Sequence, residues 1–242
     1  MTPARTLIVC TTPRSGSTLL CALLASSGVG GRPESWYRAE DRSEYEADWG
    51  VPPGDHLAFL KSAIKAGSDE SGTFGLRLQA ASLSPFLAEL RANFGNLPDR
   101  DLLKHAFGPC TFIFIRRNDD VAQAVSRLKA EVSQVWHLDG TEPPPRGEPA
   151  YDAARLDEFR LEAAEGNSAW EAWFAAQGIA PIRLVYEAFV TDPAGQVRTL
   201  LTRSGLPPRP DRQITATNRK MADSSSEAWA SRYRRERGLQ ST

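Results

Sequence analysis

The sequence has almost no excess charge and no long apolar run. Its 242 residues include 29 Lys plus Arg and 30 Asp plus Glu. Because these charges nearly cancel, we expect no nucleic-acid partner and no overall attraction to an anionic membrane. No stretch reaches the roughly 18 consecutive apolar residues of a transmembrane helix, and Leu7 to Cys10 is too short a run for a signal peptide. We therefore expect a cytoplasmic protein without a membrane span.

Residues that commonly bind metals are also scarce, because the chain has only three cysteines and three histidines. They are Cys10, Cys21 and Cys110, and His56, His105 and His137. Neither set has the spacing of metal ligands, so a zinc enzyme is not expected and no metal cofactor is predicted. Since Cys10 and Cys21 lie in apolar segments, where a free thiol packs like a small hydrophobe, we interpret the cysteines as reduced packing residues.

A polar turn at residues 11–18 separates an apolar strand from an apolar helix. It reads Thr-Thr-Pro-Arg-Ser-Gly-Ser-Thr. Free backbone N–H groups and hydroxyl groups at a helix N-terminus form an anion site, because these donors lack partners within the helix and the helix dipole is positive there. The guanidinium of Arg14 adds donors that match phosphate or sulfate oxygens. The turn is predicted to hold the phosphate-like end of a nucleotide.

Other loops that bind phosphate fit this turn less well. A Walker A loop needs a lysine directly after its second glycine, but Gly16 is followed by Ser17, which argues against an ATPase or GTPase. The C-x5-R loop of cysteine phosphatases would place arginine where Gly16 stands, so Cys10 does not begin such a loop. An ordinary polar turn, capped by Ser17, is the remaining alternative.

A second candidate anion site follows a buried strand predicted at residues 111–115. Arg116 and Arg117 end this strand, and Ser126 lies on the helix that comes next. An arginine at a strand end and a serine on the following helix can together bind a second phosphate group. Alternatively, both arginines are solvated and pair with Asp119 and Asp120.

Strand-like segments alternate with segments of helical spacing along the chain. Further strands are predicted at 73–79 and 182–186. Helices are predicted at 19–25, at 55–65, from residue 82 or 84 to 91, and at 119–136, 152–177, 192–205 and 226–237. Irregular structure or loops are predicted at 41–53, 93–101 and 139–149. Because strands alternate with helices, we predict an α/β fold with a mainly parallel sheet.

Five stretches together resemble the bacterial carbohydrate sulfotransferases that use 3′-phosphoadenosine-5′-phosphosulfate (PAPS), the family typified by trehalose 2-sulfotransferase. They are TTPRSGSTLL at 11–20, GVGGRPESWY at 28–37, FGLRLQ at 74–79, RRNDDVAQAVS at 116–126 with VWH at 135–137, and MADSSSEAWASRYRR at 221–235. Residues 13–18 fill every position of the family motif P-[KR]-S-G-[ST]-[ST]. The stretches extend over most of the chain, so we expect one sulfotransferase domain over residues 1–242.

The resemblance implies a P-loop nucleotide-kinase-like fold and transfer of a sulfuryl group from PAPS, without a metal, to a carbohydrate or glycolipid hydroxyl. The product would be adenosine 3′,5′-bisphosphate, and the enzyme would be a homodimer. The residues implied to hold the 5′-phosphosulfate are Arg14, Ser15, Gly16, Ser17 and Thr18. Arg14 would also stabilise charge on the leaving phosphate. Arg117 and Ser126 would hold the 3′-phosphate; their spacing of nine residues is one longer than expected, so Arg116 could replace Arg117.

The acceptor side matches the family less closely. The resemblance implies a catalytic glutamate two residues after Pro33, but Ser35 stands there and Glu34 directly follows the proline. We predict Glu34 as the general base and keep His137 in reserve, because an imidazole also suits this role.

Three further side chains are candidates for acceptor binding. Trp36 and Tyr37 offer stacking faces for a sugar, and Arg77 could neutralise sulfate or an acidic acceptor. The aromatic residues could equally belong to the core, and Arg77 could equally be an ion-pair partner. Two alternatives to sulfuryl transfer also stay open: a P-loop kinase or nucleotide hydrolase with a degenerate loop, and a non-catalytic protein that binds nucleotide or sulfate.

Overall fold

The computed structural model describes residues 2–134, 147, 149–216 and 224–240. Its sheet consists of β1 (Arg5–Thr11), β2 (Thr73–Gln79), β3 (Cys110–Arg116) and β4 (Ile182–Val185). The strand order is β2-β1-β3-β4, and each neighbouring pair is parallel. Parallel neighbours need crossover connections, and the intervening helices provide them. The predicted α/β fold with a central parallel sheet is therefore confirmed.

Helices cover both faces of the sheet. They are α1 (Ser17–Ser26), α2 (Arg42–Trp49), α3 (His56–Gly67), α4 (Ala80–Phe94), α5 (Asp99–Phe107), α6 (Asp120–Ser133), α7 (Ala153–Ala176), α8 (Tyr186–Phe189), α9 (Pro193–Arg203) and α10 (Ser224–Arg237). Four of them begin after an aspartate whose carboxylate accepts a backbone N–H of the first turn: Asp55, Asp119, Asp152 and Asp192. These side chains satisfy donors that have no partner within the helix, which fixes where each helix begins. Within the described residues, no helix is long and apolar enough to cross a membrane.

Successive residues of β1 alternate between two cores, because side chains along a strand point to opposite faces. Ile8 and Cys10 lie in the larger core, which also contains residues of α3, α4, α5 and α7. Leu7 and Val9 lie in the second core with residues of α1 and α9. A third cluster joins α6, α7 and α10 away from the sheet. Both faces of the central strand are thus fully buried, as its continuous apolar sequence indicates.

The strands end in register at one edge of the sheet. Thr11 at the end of β1 pairs with Gln79 at the end of β2, and Arg116 at the end of β3 pairs with Val185 of β4. Ligands of open α/β sheets bind beyond this carboxyl edge. The turn after β1 and the arginine after β3 are therefore brought to the same place, although more than a hundred residues separate them in the sequence.

Two helices occupy stretches that the sequence analysis predicted to be irregular. The acidic stretch 41–53 contains α2, whose helical spacing brings Tyr45 and Trp49 together as a stacked pair with ring centroids 4.9 Å apart. The predicted loop 93–101 is interrupted by α5, which starts at Asp99 directly after Pro98. The sequence analysis missed both helices because charged residues dominate these two stretches. The few apolar residues, which recur at helical spacing and face the core, give only a weak signal.

Other boundaries moved by a few residues. Helix α4 begins at Ala80, directly after β2, rather than at Ser82 or Ser84. Helix α6 ends at Ser133, and Trp136, where the prediction ended it, lies outside the described residues. The predicted loop 139–149 also falls outside them, except for residues 147 and 149.

Candidate functional site

The turn between β1 and α1 has the backbone of an anion-binding loop. Arg14 and Gly16 both adopt the left-handed conformation, with φ of 63° and 91°. Gly16, not Ser17, is the residue before the first helical turn, and it offers no side-chain cap. In the described part of the chain, the backbone N–H groups of residues 15–18 donate no hydrogen bond. The loop therefore presents donors that an anion can use.

Gly16 is required for steric reasons as well. A Cβ atom at this position would collide with the aromatic ring of Tyr186, the first residue of α8. Tyr186 follows the end of β4, so a residue from the carboxyl end of this strand lies against the loop. Inside the loop, the buried hydroxyl groups of Thr11 and Ser15 are hydrogen-bonded to each other.

Residues of α6 and α7 hold the loop from the other side. The amide nitrogen Nε2 of Gln123 donates to the carbonyl oxygen of Pro13 at 2.6 Å and to Oγ1 of Thr12 at 3.2 Å. Nε1 of Trp170 donates to the carbonyl oxygen of Thr11 at 2.9 Å. Sequence reasoning missed both side chains, since no local pattern links them to a turn more than a hundred residues away.

Arg14 connects the turn to the second predicted anion site. Its Nε donates to Oγ of Ser126 on α6 at 3.0 Å. Burial and, as a smaller contribution, the nearby positive charge of Arg117 lower the pKa of the Arg14 guanidinium to about 10, against an opposing effect of Tyr186. Two partly buried guanidinium groups that repel each other would both be stabilised by an anion between them.

Arg117 is better placed for this role than Arg116. The Nε atom of Arg117 is buried and has no hydrogen bond in the described structure, while its guanidinium lies 4.6 Å from the ring centroid of Tyr186. Its ion pair with Glu187 spans 3.8 Å, which is too long for a hydrogen bond. Arg116 is exposed and acts electrostatically on Glu171 instead.

The aspartates that follow Arg117 do not pair with it. Asp119 caps α6 and accepts a hydrogen bond from Arg234 of α10 at 2.6 Å, and Asp120 pairs with Arg160 of α7 at 2.7 Å. The alternative in which both aspartates neutralise Arg116 and Arg117 is therefore wrong. The carboxylate of Glu187 accepts hydrogen bonds from the backbone N–H groups of residues 118 and 119. These donors before α6 are therefore already used, and an anion at this place would bind to the arginine side chain instead.

Hydrogen bonds from Arg77 connect Glu34 to the loop. The residue pairs with the outer edge of β2, where its carbonyl oxygen accepts the N–H of Arg77 at 2.9 Å. Each nitrogen of the Arg77 guanidinium donates to a different group: Nε to Ser35 at 2.9 Å, Nη1 to Oγ1 of Thr18 at 3.0 Å, and Nη2 to Oε2 of Glu34 at 3.1 Å. Half of the Glu34 side chain is exposed. Arg77 thus orients three protein groups with three of its five N–H donors.

The stacking faces expected of Trp36 and Tyr37 are not available. Both residues are buried in the larger core with only 8% of their surface exposed. Trp36 packs against Tyr45 and Trp49 and donates its Nε1 hydrogen to the carbonyl of residue 75. The ring of Tyr37 packs edge-on against two phenylalanines. The segment after Glu34 turns into the core because it extends along the edge of β2, so the aromatic rings support the site rather than line it.

The three cysteines were interpreted as packing residues, and His137 was the reserve candidate for the base. Burial raises the pKa of the Cys21 and Cys110 thiols to about 12 and raises that of Cys10 well above its ordinary value. None of the three therefore forms a thiolate nucleophile near neutral pH. His137, the reserve candidate for the base, lies outside the described residues.

The chain is similar in sequence to a known protein family and to two curated proteins. A family profile described as Stf0 sulphotransferase matches residues 6–236. The trehalose 2-sulfotransferase of Mycobacterium tuberculosis (strain ATCC 35801 / TMC 107 / Erdman) is 28% identical over an alignment of 264 positions, gaps included, which covers 96% of this chain and 95% of that protein. The trehalose 2-sulfotransferase of Mycolicibacterium smegmatis (strain ATCC 700084 / mc(2)155) is 27% identical over an alignment of 259 positions, gaps included, which covers 95% of this chain and 94% of that protein. Among solved structures, the sulfotransferase domain from the Synechococcus PCC 7002 olefin synthase aligns with a TM-score of 0.43 at 13% identity, over 96% of this chain and 88% of that chain.

Proposed function

The chain belongs to the Stf0 sulphotransferase family, and from this premise we propose that it transfers a sulfuryl group from PAPS to a hydroxyl group of a carbohydrate or glycolipid. One observation supports the choice of donor above all others. The hydrogen bond from Arg14 to Ser126 joins the loop after β1 to the helix after β3. A nucleotide with a 5′-phosphosulfate and a separate 3′-phosphate needs two adjoining anion sites of this kind.

The residues at the carboxyl edge of the sheet fit the two charged ends of PAPS. Arg14 and the N–H groups of residues 15–18 would hold the 5′-phosphosulfate. Arg117 and the hydroxyl of Ser126 would hold the 3′-phosphate. Two observations support this assignment: the buried Nε of Arg117 makes no hydrogen bond with a described residue, and burial together with the charge of Arg117 lowers the pKa of Arg14.

PAPS supplies an activated sulfuryl group, and the chain supplies charge neutralisation, alignment and a proton acceptor. Arg14 and the loop N–H groups would neutralise the charge that develops on the leaving phosphate. No lysine directly follows Gly16, so Arg14 is the residue within the loop that contributes positive charge. Alignment of donor and acceptor is the main requirement of such a transfer, as in phosphoryl transfer.

Glu34 is proposed as the general base that takes the proton of the acceptor hydroxyl. Arg77 holds Oε2 of its carboxylate and at the same time binds Thr18 of the loop, so the base and the donor site are fixed relative to each other. The exposed half of the Glu34 side chain can meet a substrate. Ser35, which occupies the position expected for the family glutamate, is buried and accepts a hydrogen bond from Arg77 instead.

The acceptor is proposed to be a carbohydrate because both curated relatives are trehalose 2-sulfotransferases. Trehalose itself is one candidate, and an oligosaccharide or glycolipid is another. We further propose one domain over residues 1–242, which forms a homodimer as the family resemblance implies. The three free cysteines are compatible with the reducing cytoplasm, where we propose that the enzyme acts.

Thermal unfolding with added nucleotides tests the donor site. Adenosine 3′,5′-bisphosphate should raise the melting temperature clearly more than AMP or ADP at equal concentration, because a ligand stabilises the folded state according to its affinity. An equal effect of AMP would count against a 3′-phosphate site. Turnover of ATP with magnesium, in the absence of sulfuryl transfer, would instead identify a kinase or hydrolase with a degenerate loop.

A further inference from the structure

Buried side chains of two helices hold the carbonyl oxygens of the loop after β1. Trp170 on α7 is 1% exposed and donates its Nε1 hydrogen to the carbonyl oxygen of Thr11 at 2.9 Å. Gln123 on α6 is 2% exposed and donates from Nε2 to the carbonyl oxygen of Pro13 at 2.6 Å. In a planar trans peptide the C=O and N–H bonds point in opposite directions. The two hydrogen bonds therefore orient the peptide planes that lead into residues 12 and 14.

The residue between these contacts and the helix, Arg14, has a backbone that needs support. Its φ of 63° lies in the left-handed region, which is unfavourable for a residue with a side chain and persists only where the surroundings hold it. Gln123 holds the carbonyl directly before Arg14, and Ser126 accepts the hydrogen bond of its Nε. Gln123 and Ser126 are three residues apart on α6 and therefore lie on the same face of that helix. One face of α6 thus holds both the backbone and the side chain at this position.

The amide of Gln123 stands in its buried place at a cost to stability. Its Oε1 is buried and makes no hydrogen bond with a described residue, while Nε2 also donates to Oγ1 of Thr12 at 3.2 Å. A buried polar atom without a partner destabilises the folded state. An apolar side chain such as methionine could occupy the same helix face without this cost. The two donor contacts to the loop are the physical reason for an amide here.

Helix α7 approaches the loop closely because Gly166 has no side chain. A Cβ atom at this position would lie 2.7 Å from Cγ2 of Thr12, which is closer than real contacts allow. Glycine in the interior of a helix is less favourable than alanine, so the close approach has a cost of its own. It places Asn167, whose Oδ1 accepts a long hydrogen bond of 3.4 Å from Oγ1 of Thr12, and then Trp170 beside the loop.

We propose that Gln123 and Trp170 are positioning residues for sulfuryl transfer, which hold the loop in the shape that receives the 5′-phosphosulfate and do not contact the nucleotide. The inference rests on the proposed function, because it takes this loop as the site of the 5′ end. A carbonyl oxygen that turned into the loop would repel the anion. If Arg14 left the left-handed region, the N–H of residue 15 would change direction. The affinity for the 5′ end therefore depends on the fraction of molecules whose loop already has this shape.

Two nucleotides that differ in the position of one phosphate test the proposal by calorimetric titration. AMP carries its phosphate at the 5′ position, and 3′-AMP carries it at the 3′ position. Gln123→Met keeps the length of the side chain but has no donor. Its affinity for AMP should fall about five- to thirtyfold, which corresponds to the bias of a residue with a side chain against the left-handed conformation. Its affinity for 3′-AMP should change by less than about twofold, because Arg117 and Ser126 are retained.

A second glutamine of α6 provides the matched control. Nε2 of Gln134 also donates to a backbone carbonyl at 2.6 Å, that of Glu131, but at the exposed end of the helix and away from the loop. Gln134→Met should change neither affinity. Gly166→Ala is a second test that removes no donor and favours the helix. Its new Cβ presses on Thr12, so it should show the same selective loss of AMP affinity, also where Gln123→Met does not fold.

The kinetics of the active enzyme separate positioning from a merely structural role. The KM for PAPS in Gln123→Met should rise by the same factor as the AMP affinity falls, while kcat stays within about twofold, because bound PAPS restores the loop. A lowered kcat with an unchanged KM would overturn the proposal.

The ratio of the two nucleotide affinities decides between the outcomes. An unchanged ratio in folded Gln123→Met, or in Gly166→Ala where Gln123→Met does not fold, would overturn the proposal and leave the proposed function intact. A wild type that binds neither nucleotide would overturn both. A selective loss of AMP affinity in a protein that transfers no sulfuryl group from PAPS would contradict the proposed function but support the positioning role.

Discussion

We expect Arg14 to destabilise the folded protein without ligand and to strengthen nucleotide binding. Replacement of Arg14 by methionine should reveal both effects. Methionine has a similar length and no charge, so most of the side-chain packing is kept. Burial and the charge of Arg117 lower the pKa of Arg14 to about 10. Since a basic group with a lowered pKa favours its neutral form, the charged Arg14 destabilises the folded state. This cost is fully present at neutral pH and is lost only as the pH rises through about 10.

The size of the effect follows from the shift. Each unit of pKa corresponds to about 1.4 kcal/mol, so the shift to about 10 represents roughly 3 kcal/mol in the unliganded protein. The variant also loses the hydrogen bond to Ser126, which contributes about 1 kcal/mol, and other contacts of Arg14. We therefore expect Arg14→Met to be about 1 to 2 kcal/mol more stable without ligand. For a chain of this length, that raises the melting temperature by about 2 to 8 °C.

Ligand binding should change in the opposite direction. A charge-assisted hydrogen bond contributes about 1.5–3 kcal/mol, so the affinity of Arg14→Met for adenosine 3′,5′-bisphosphate should fall about 10- to 150-fold. Thermal unfolding and calorimetric titration measure both quantities on the same samples. Arg116→Met removes an exposed arginine at the same edge of the sheet and should change neither. If Arg14→Met were less stable than the wild type, burial and the repulsion between Arg14 and Arg117 would not destabilise the unliganded protein as argued. If its affinity for the bisphosphate were unchanged, Arg14 would not belong to the anion site.

Three further predictions concern the same edge of the sheet. In Arg117→Met, the affinities for adenosine 3′,5′-bisphosphate and AMP, measured by calorimetry, should differ only a few-fold, because the side chain that holds the 3′-phosphate is lost. In Arg116→Met, the bisphosphate should still bind clearly more tightly than AMP. Glu34→Gln should lower kcat for sulfuryl transfer about 10²- to 10⁴-fold with an unchanged nucleotide affinity, and an unchanged kcat would mean that another residue is the base. Gly16→Ala should destabilise the protein by about 1 to 3 kcal/mol or more, as measured by chemical unfolding. A φ of 91° is strained for alanine, and the new Cβ would collide with Tyr186. An unchanged free energy of unfolding would contradict this loop geometry.

The sequence was sufficient to predict the elements whose signals are local. The apolar strands at 73–79 and 111–115 and the helices predicted to begin at Asp55 and Asp192 are all found in the structure. The polar turn at 11–18 could also be recognised, because its residues are contiguous. Helix α2 was missed because its apolar residues are few and its charged residues dominate the pattern.

Contacts between distant segments could not be predicted in this way. Gln123 and Trp170 hold the loop after β1 from helices more than a hundred residues away, and nothing in the local sequence marks them. Trp36 and Tyr37 illustrate the converse error. An aromatic pair beside a predicted site has the same sequence whether its rings face solvent or the core, and the pairing of Glu34 with β2 determines that they are buried.

The transfer of radioactive sulfur from ³⁵S-labelled PAPS to a panel of neutral sugars tests the central claim most directly. The account predicts one labelled sugar product for each adenosine 3′,5′-bisphosphate released, and loss of that product in Arg14→Met and Glu34→Gln. The account would be contradicted if the bisphosphate were released without any sulfated sugar, from a panel that includes trehalose and larger oligosaccharides and glycolipids. It would also be contradicted if both variants formed the sulfated product at an undiminished rate.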